Sequence, residues 1–164
     1  MIQTLIMLRH AKSDWGKGVA DLERPLSQRG RRSAKAMGRF LASAGLVPDL
    51  ALTSPATRAR STLEIAAESG AWGCRIRVAE SLHGAAEDVL AEIGRTEGSV
   101  SRLLVVGHQP TWSEVAANLT GCSAIGLPTG SALVLGSDAE GWDGFIRLGG
   151  AIELLITPKA LLGR

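Results

Sequence analysis

Little in this sequence supports a chemistry built on sulfur, metal or membrane. There are two cysteines, Cys74 and Cys122. Neither sits in a C-x-x-C or Cys/His spacing, so the pattern predicts two reduced thiols of a cytoplasmic protein and speaks against a structural zinc site. No apolar run approaches the roughly 20 residues that a membrane helix needs, and the N-terminal run lacks the basic segment that opens a signal peptide. Charge of one sign is missing too. The 18 basic and 16 acidic residues leave +2, too little and too evenly spread to argue for nucleic acid. Repeats, low-complexity segments and linkers are also lacking, so residues 1–164 read as a single domain. At 45% apolar content it can bury a core without disulfides or metal.

What is present is a series of short apolar runs with polar ends. Leu5-Ile6-Met7-Leu8 reads as a strand buried on both faces, and it stops at Arg9-His10. Leu103-Leu104-Val105-Val106 likewise runs into Gly107-His108-Gln109-Pro110, and Leu50-Ala51-Leu52-Thr53 into Ser54-Pro55-Ala56-Thr57-Arg58. If the three strands are parallel, their polar ends share one rim, where ligands bind in open α/β sheets.

Between the runs lie helical patterns. Ser27 is a plausible N-cap for a helix burying Ala34, Met37, Gly38 and Leu41 and ending near Gly45. Ser54 and Pro55 suit the start of a second helix, with Ala59, Leu63, Ala66 and Ala67 as its stripe. Arg75 to Ala79 alternate as a short strand. Ala86, Val89, Leu90 and Ile93 mark a third helix, and Trp112, Val115, Ala116 and Leu119 a fourth, closed by Gly121. Ser131 to Leu135, Phe145 to Leu148 and Ile152 to Ile156 read as short strands, with Ser137 to Gly144 as a turn-rich link. The predicted architecture is a three-layer α/β/α fold with a mostly parallel sheet and an antiparallel edge.

Two arginines and two histidines at one rim suit a tetrahedral dianion, because each guanidinium offers paired donors and keeps its charge. A phosphoryl group fits best. A histidine neutral at one ring nitrogen can attack phosphorus, and water can later hydrolyse the phosphohistidine. The other histidine and the arginines would hold the equatorial oxygens. Such chemistry requires neither metal nor cofactor. Arg58 carries a second argument: a cation near a helix N-terminus is unfavourable unless an anion is present.

Leu8-Arg9-His10-Ala11, Ser54-Pro55-Ala56-Thr57-Arg58-Ala59-Arg60-Ser61-Thr62 and Gly107-His108-Gln109-Pro110 resemble, in this order, the three signatures of the histidine phosphatase superfamily, whose fold is phosphoglycerate mutase-like. Pro25-Leu26-Ser27-x-x-Gly30 matches a recurring helix start in that family. The short length, together with Asp21-x-x-Arg24-Pro25-Leu26 and Pro128-Thr129-Gly130, is most similar to the SixA-type phosphohistidine phosphatases. The resemblance implies that His10 is the nucleophile, with Arg9, Arg58 and His108 as the phosphate pocket. Lys12 and Ser13 adjoin it as further candidates for phosphate contact, Lys12 standing where Glu or Gln is common. Ala11 replaces the usual glycine, and Gly16 follows Trp15 where mutase-like members often carry an asparagine. Glu80, in Glu80-Ser81-Leu82-His83-Gly84, resembles the acidic residue that serves mutase-like members as general acid.

Other residues read as ordinary. His83 is expected to be a hydrogen-bonded surface or core histidine, Glu87 and Asp88 to favour a helix N-terminus, Arg31, Arg32 and Arg60 to be solvated, and Trp15 and Trp112 to pack. The expected activity is removal of phosphate from a phosphohistidine-bearing protein. The alternatives are hydrolysis of small phosphate esters such as sugar or nucleotide phosphates, and a binding module that keeps the pocket without turnover.

Overall fold

Leu5, Ile6, Met7 and Leu8 are all fully buried, and successive side chains enter opposite cores, as the period of two along a strand requires. In the computed structural model, which describes residues 2–16 and 18–163, they form the middle of β1 (Gln3–Arg9). With β2 (Leu50–Thr53), β3 (Arg75–Val78), β4 (Arg102–Gly107), β5 (Ala132–Ser137) and β6 (Ala151–Ile156), it makes a six-stranded sheet in the order β3-β2-β4-β1-β5-β6. The pairs β1–β4, β4–β2 and β2–β3 are parallel, while β5 pairs antiparallel with both β1 and β6.

Helices cover both faces. Leu5 and Met7 join a core with Val89 and Ile93 of α3 (Ala86–Gly94), Trp112 and Val115 of α4 (Thr111–Thr120), and Trp142 and Phe145 of α5 (Gly141–Leu148). Ile6 and Leu8 point into a second core with Met37 and Leu41 of α1 (Gln28–Ser43) and Leu63 and Ala66 of α2 (Thr57–Ser69), and Leu161 of α6 (Pro158–Leu162) packs against it. This is the expected three-layer α/β/α arrangement.

The helix ends follow their capping chemistry. Ser27 Oγ accepts from the Gly30 N–H at 3.1 Å, as predicted for the start of α1. Asp88 Oδ2 accepts from the Ala85 N–H at 3.0 Å and stabilises the start of α3, and Gly121 closes α4 in the left-handed conformation.

Two expectations are corrected. Phe145 to Leu148 belong to helix α5 instead of a strand, so a helix joins the antiparallel pair β5–β6. Trp142 and Phe145 stack at 5.4 Å between ring centroids and are both buried, a spacing of three that a helix places on one face. The second helix starts at Thr57, with Ala56 as its N-cap. Ser54 Oγ still accepts from the Ala56 N–H at 3.2 Å, but as a local turn before the helix.

Candidate functional site

Register puts the polar strand ends together. Arg9 of β1 lies opposite Gly107 of β4, and Thr53 of β2 opposite Val106. The residues that follow leave the sheet at one rim: the His10 N–H donates to the Gly107 carbonyl at 3.0 Å, and the Ser54 N–H to the Val106 carbonyl at 3.1 Å. His10, Ser54 and His108 therefore emerge side by side from three adjacent parallel strands.

His10 is buried, and its Nδ1 lies 2.8 Å from the Ala11 carbonyl oxygen. A carbonyl can only accept, so this contact places the ring proton on Nδ1 and leaves the lone pair on Nε2. Burial, with the nearby charges of Arg58, Arg9 and Arg24, lowers the His10 pKa from 6.5 to about 4 against the opposing pull of the Ala11 bond. The ring is neutral at physiological pH.

The two arginines are anchored from behind. Arg9 Nη1 donates to the Leu127 carbonyl at 2.8 Å. Arg58, in the first turn of α2, donates from Nη1 to the Asp21 carbonyl at 2.8 Å and pairs through Nη2 with Asp21 Oδ2 at 3.3 Å. Although its own desolvation pulls the other way, Arg58 and Arg24 hold Asp21 below the usual carboxylate range. Buried nitrogens left without a hydrogen-bond partner among the described residues include Arg9 Nε, Arg58 Nε and His108 Nδ1. Unpaired buried donors are costly unless a ligand or solvent meets them.

His108 lies with its ring centroid 5.2 Å from that of His10. Its Nε2 is 2.7 Å from Ser54 Oγ. Burial first, then the neighbouring His10, Arg58 and His83, lower its pKa to about 3, so it too is neutral and can accept from the Ser54 hydroxyl.

The structure adds residues that sequence reasoning passed over. His83, expected to be ordinary, stands edge-on to His108 with ring centroids 5.0 Å apart, and its Nδ1 is 3.4 Å from His108 Nε2. Three imidazoles thus run from the buried His10 to the exposed His83. Asp21, part of the Asp21-x-x-Arg24-Pro25-Leu26 pattern, bridges Arg58 and Arg24. No periodicity marks either residue; the only signal was position, His83 after β3 and Asp21 three residues before Arg24.

The remaining candidates divide. Ser13 is buried and accepts from Arg24 Nη1 at 2.6 Å, so its hydroxyl supports the arginine layer. The Arg24 guanidinium in turn lies 3.5 Å over the exposed Trp15 ring, whereas Trp112 is a core residue as expected. Lys12 is exposed and lines a neighbouring cavity. Its backbone is fixed, because its carbonyl accepts from the Ser27 N–H at 2.9 Å and a Cβ on Gly30 would come within 2.0 Å of that oxygen. That approach explains glycine in Pro25-Leu26-Ser27-x-x-Gly30. Glu80 opens the turn Glu80–His83, is exposed, and makes no side-chain hydrogen bond among the described residues. No helix among these residues is long and apolar enough to cross a membrane.

Comparison with known proteins supplies the context. Residues 5–97 match the histidine phosphatase superfamily (branch 1). An uncharacterised protein of Mycobacterium tuberculosis is 45% identical over 117 residues, covering 71% of this chain and 72% of its own. One from a Picosynechococcus strain is 33% identical over 174 residues, with 96% and 98% covered. Among solved structures, a proposed phosphohistidine phosphatase SixA from Nakamurella multipartitia superposes with a TM-score of 0.85 at 27% identity, covering 96% of this chain and 97% of that one.

Proposed function

Because the chain belongs to the histidine phosphatase superfamily, we propose that it removes phosphate from phosphohistidine on a protein substrate, through a phosphohistidine intermediate on His10. The observation that carries this reading is the His10 ring itself: neutral, with its proton held on Nδ1 by Ala11 and its Nε2 lone pair free beside Arg9 and Arg58.

In the first step Nε2 attacks phosphorus, and the bond from phosphorus to the substrate imidazole breaks. Arg9, Arg58 and His108 hold the three equatorial oxygens as their charge shifts in the transition state. The departing nitrogen takes a proton. The turn Glu80–His83 offers two donors, and we assign the role to His83, since it is the one in contact with His108. In the second step water attacks the same phosphorus from the side the imidazole left and gives its proton to His83, which restores the donor. The bond to Nε2 breaks, and inorganic phosphate and neutral His10 are regained.

The preference for a protein substrate is supported by what lies between the site residues. The 49 residues from 59 to 107 are taken up by α2, β3, the turn Glu80–His83, α3 and β4. This interval holds no additional helices to cap the site, and an open rim can admit a histidine projecting from another folded protein. The SixA-type relative from Nakamurella multipartitia supports the same substrate class. The test is a parallel assay of a phosphohistidine protein against a panel of sugar and nucleotide phosphates: faster turnover of the protein is expected, and a clear preference for an ester would replace this reading.

A further inference from the structure

A cavity of about 690 Å³ lies beside the site, between α1, the Pro128–Thr129 loop and α6. Four cations line it: Lys12 from the loop after His10, Arg29 and Arg32 from α1, and Lys159 from α6. Among the described residues no carboxylate lines it. Among the described residues none of the four makes an ion pair, whereas Arg24, Arg58, Arg75, Arg77 and Arg147 all do. In a chain whose net charge is only +2, these four exposed side chains are a local concentration of unneutralised positive charge, which favours a bound anion.

Two further observations point to a ligand. Ser33, at 6% exposure, lines the cavity and makes no side-chain hydrogen bond among the described residues. The apolar part of the lining is built from Pro128, Pro158 and Leu162. A single phosphate would leave most of the volume empty, while volumes of ~300–1,000 Å³ are typical of sites for organic ligands.

We propose that this cavity binds a nucleoside di- or triphosphate. The polyphosphate lies among Lys12, Arg29, Arg32 and Lys159, with the Ser33 hydroxyl donating to it. The planar base rests on the proline and leucine wall. Arg29 and Arg32, three apart on one helix face, present two guanidinium forks to adjacent phosphoryl groups.

The cavity also touches the back of the catalytic strand end. Gly130 adopts φ +76°, and a Cβ there would lie 2.9 Å from Pro158 Cγ, 3.5 Å from Ser33 Cβ and 3.7 Å from Ala11 Cα. Its N–H donates to the His10 carbonyl at 2.9 Å. A bound nucleotide therefore sits one residue layer behind His10 and is positioned to modulate it.

The inference does not depend on the substrate proposed above. It is tested by titrating the full chain calorimetrically with ADP, pyrophosphate and adenosine in saturating tungstate, which fills the catalytic phosphate pocket. One ADP should bind under these conditions, pyrophosphate more weakly, and adenosine not at all. The double variant Arg29→Ala/Arg32→Ala, and independently Lys159→Ala, should weaken ADP at least tenfold while leaving turnover without ADP unchanged. Loss of ADP binding in tungstate, with ADP binding unchanged by the cavity variants in its absence, would assign it to the catalytic pocket and overturn the proposal. So would equal affinity for pyrophosphate, unchanged binding in the variants, or capture of an aspartate-rich peptide with no response to ADP.

Discussion

The Nδ1 of His10 sits 2.8 Å from the carbonyl oxygen of its own neighbour Ala11, so the backbone, with no need for a carboxylate partner, sets which nitrogen of the proposed nucleophile is free. An aspartate in that place would favour imidazolium. A carbonyl orients the ring at less cost to its neutrality, and burial among arginines completes the effect.

A covalent adduct on His10 is the first expected outcome. Rapid quenching with a phosphorus-labelled substrate should trap an acid-labile, base-stable phosphoryl group on the wild-type protein. His10→Ala should fold and carry no label. Label persisting unchanged in that variant would move the nucleophile elsewhere.

The pH dependence follows from two depressed histidines. In the free protein, NMR titration should place His10 near 4 and His108 near 3, well below the ordinary 6.5. Arg58→Gln should raise both, but only part of the way, because burial is the larger cause in each. The unfolded chain binds protons at these histidines near pH 6.5, where the folded chain does not. Their contribution to stability is thus complete above pH 6.5 and is lost as the pH falls through the folded values of about 4 and 3. A His10 resonance titrating near 6.5 would contradict the proposed neutral, buried ring.

Arg58 and Asp21 should separate cleanly in kinetics. Arg58→Ala removes a preorganised donor and should lower kcat by ~10²–10³ with a modest change in KM. Asp21→Asn leaves the carbonyl contact to Arg58 Nη1 intact and should cost less than about tenfold, because the Asp21 side of the pair is exposed although Arg58 is buried. A pure KM effect of Arg58→Ala would mean that it contributes only uniform binding. Activity is also expected to survive chelation by EDTA; loss of turnover restored by a divalent ion would require a metal in the reaction.

Much of this site was legible in the sequence because burial leaves a simple signature. An apolar run such as Leu5 to Leu8 has one reason to stop at Arg9-His10, and the echo at Gly107-His108 repeats it. Parallel pairing then aligns the ends automatically. His83 was not legible, since its contact with His108 depends on the turn Glu80–His83 reaching back over β4, a tertiary event with no local period. Helix α5 is hidden in the sequence for a different reason: with eight residues, Trp142 and Phe145 give one helical spacing, too few to outweigh the strand propensity of Phe145 and Ile146. Arg32 is exposed, as a helix-surface arginine usually is, and only the packing of α6 against α1 forms the cavity it shares with Lys159.

The final prediction concerns the proton that the leaving group needs. A substrate imidazole is basic enough to leave with modest help, whereas a sugar alkoxide leaves only if a positioned acid protonates it in the transition state. His83→Gln removes the imidazole beside His108 while keeping the length and polarity of the exposed side chain. It should therefore depress hydrolysis of a phosphate ester by ~10²-fold, the lower range for a general acid, and hydrolysis of phosphohistidine by much less. Glu80→Gln, on the same turn but without a contact to the histidine row, should change neither appreciably. Both substrates measured on both variants decide the assignment. If Glu80→Gln carries the selective loss on esters and His83→Gln does not, proton donation belongs to the carboxylate, and the third imidazole serves only to position His108.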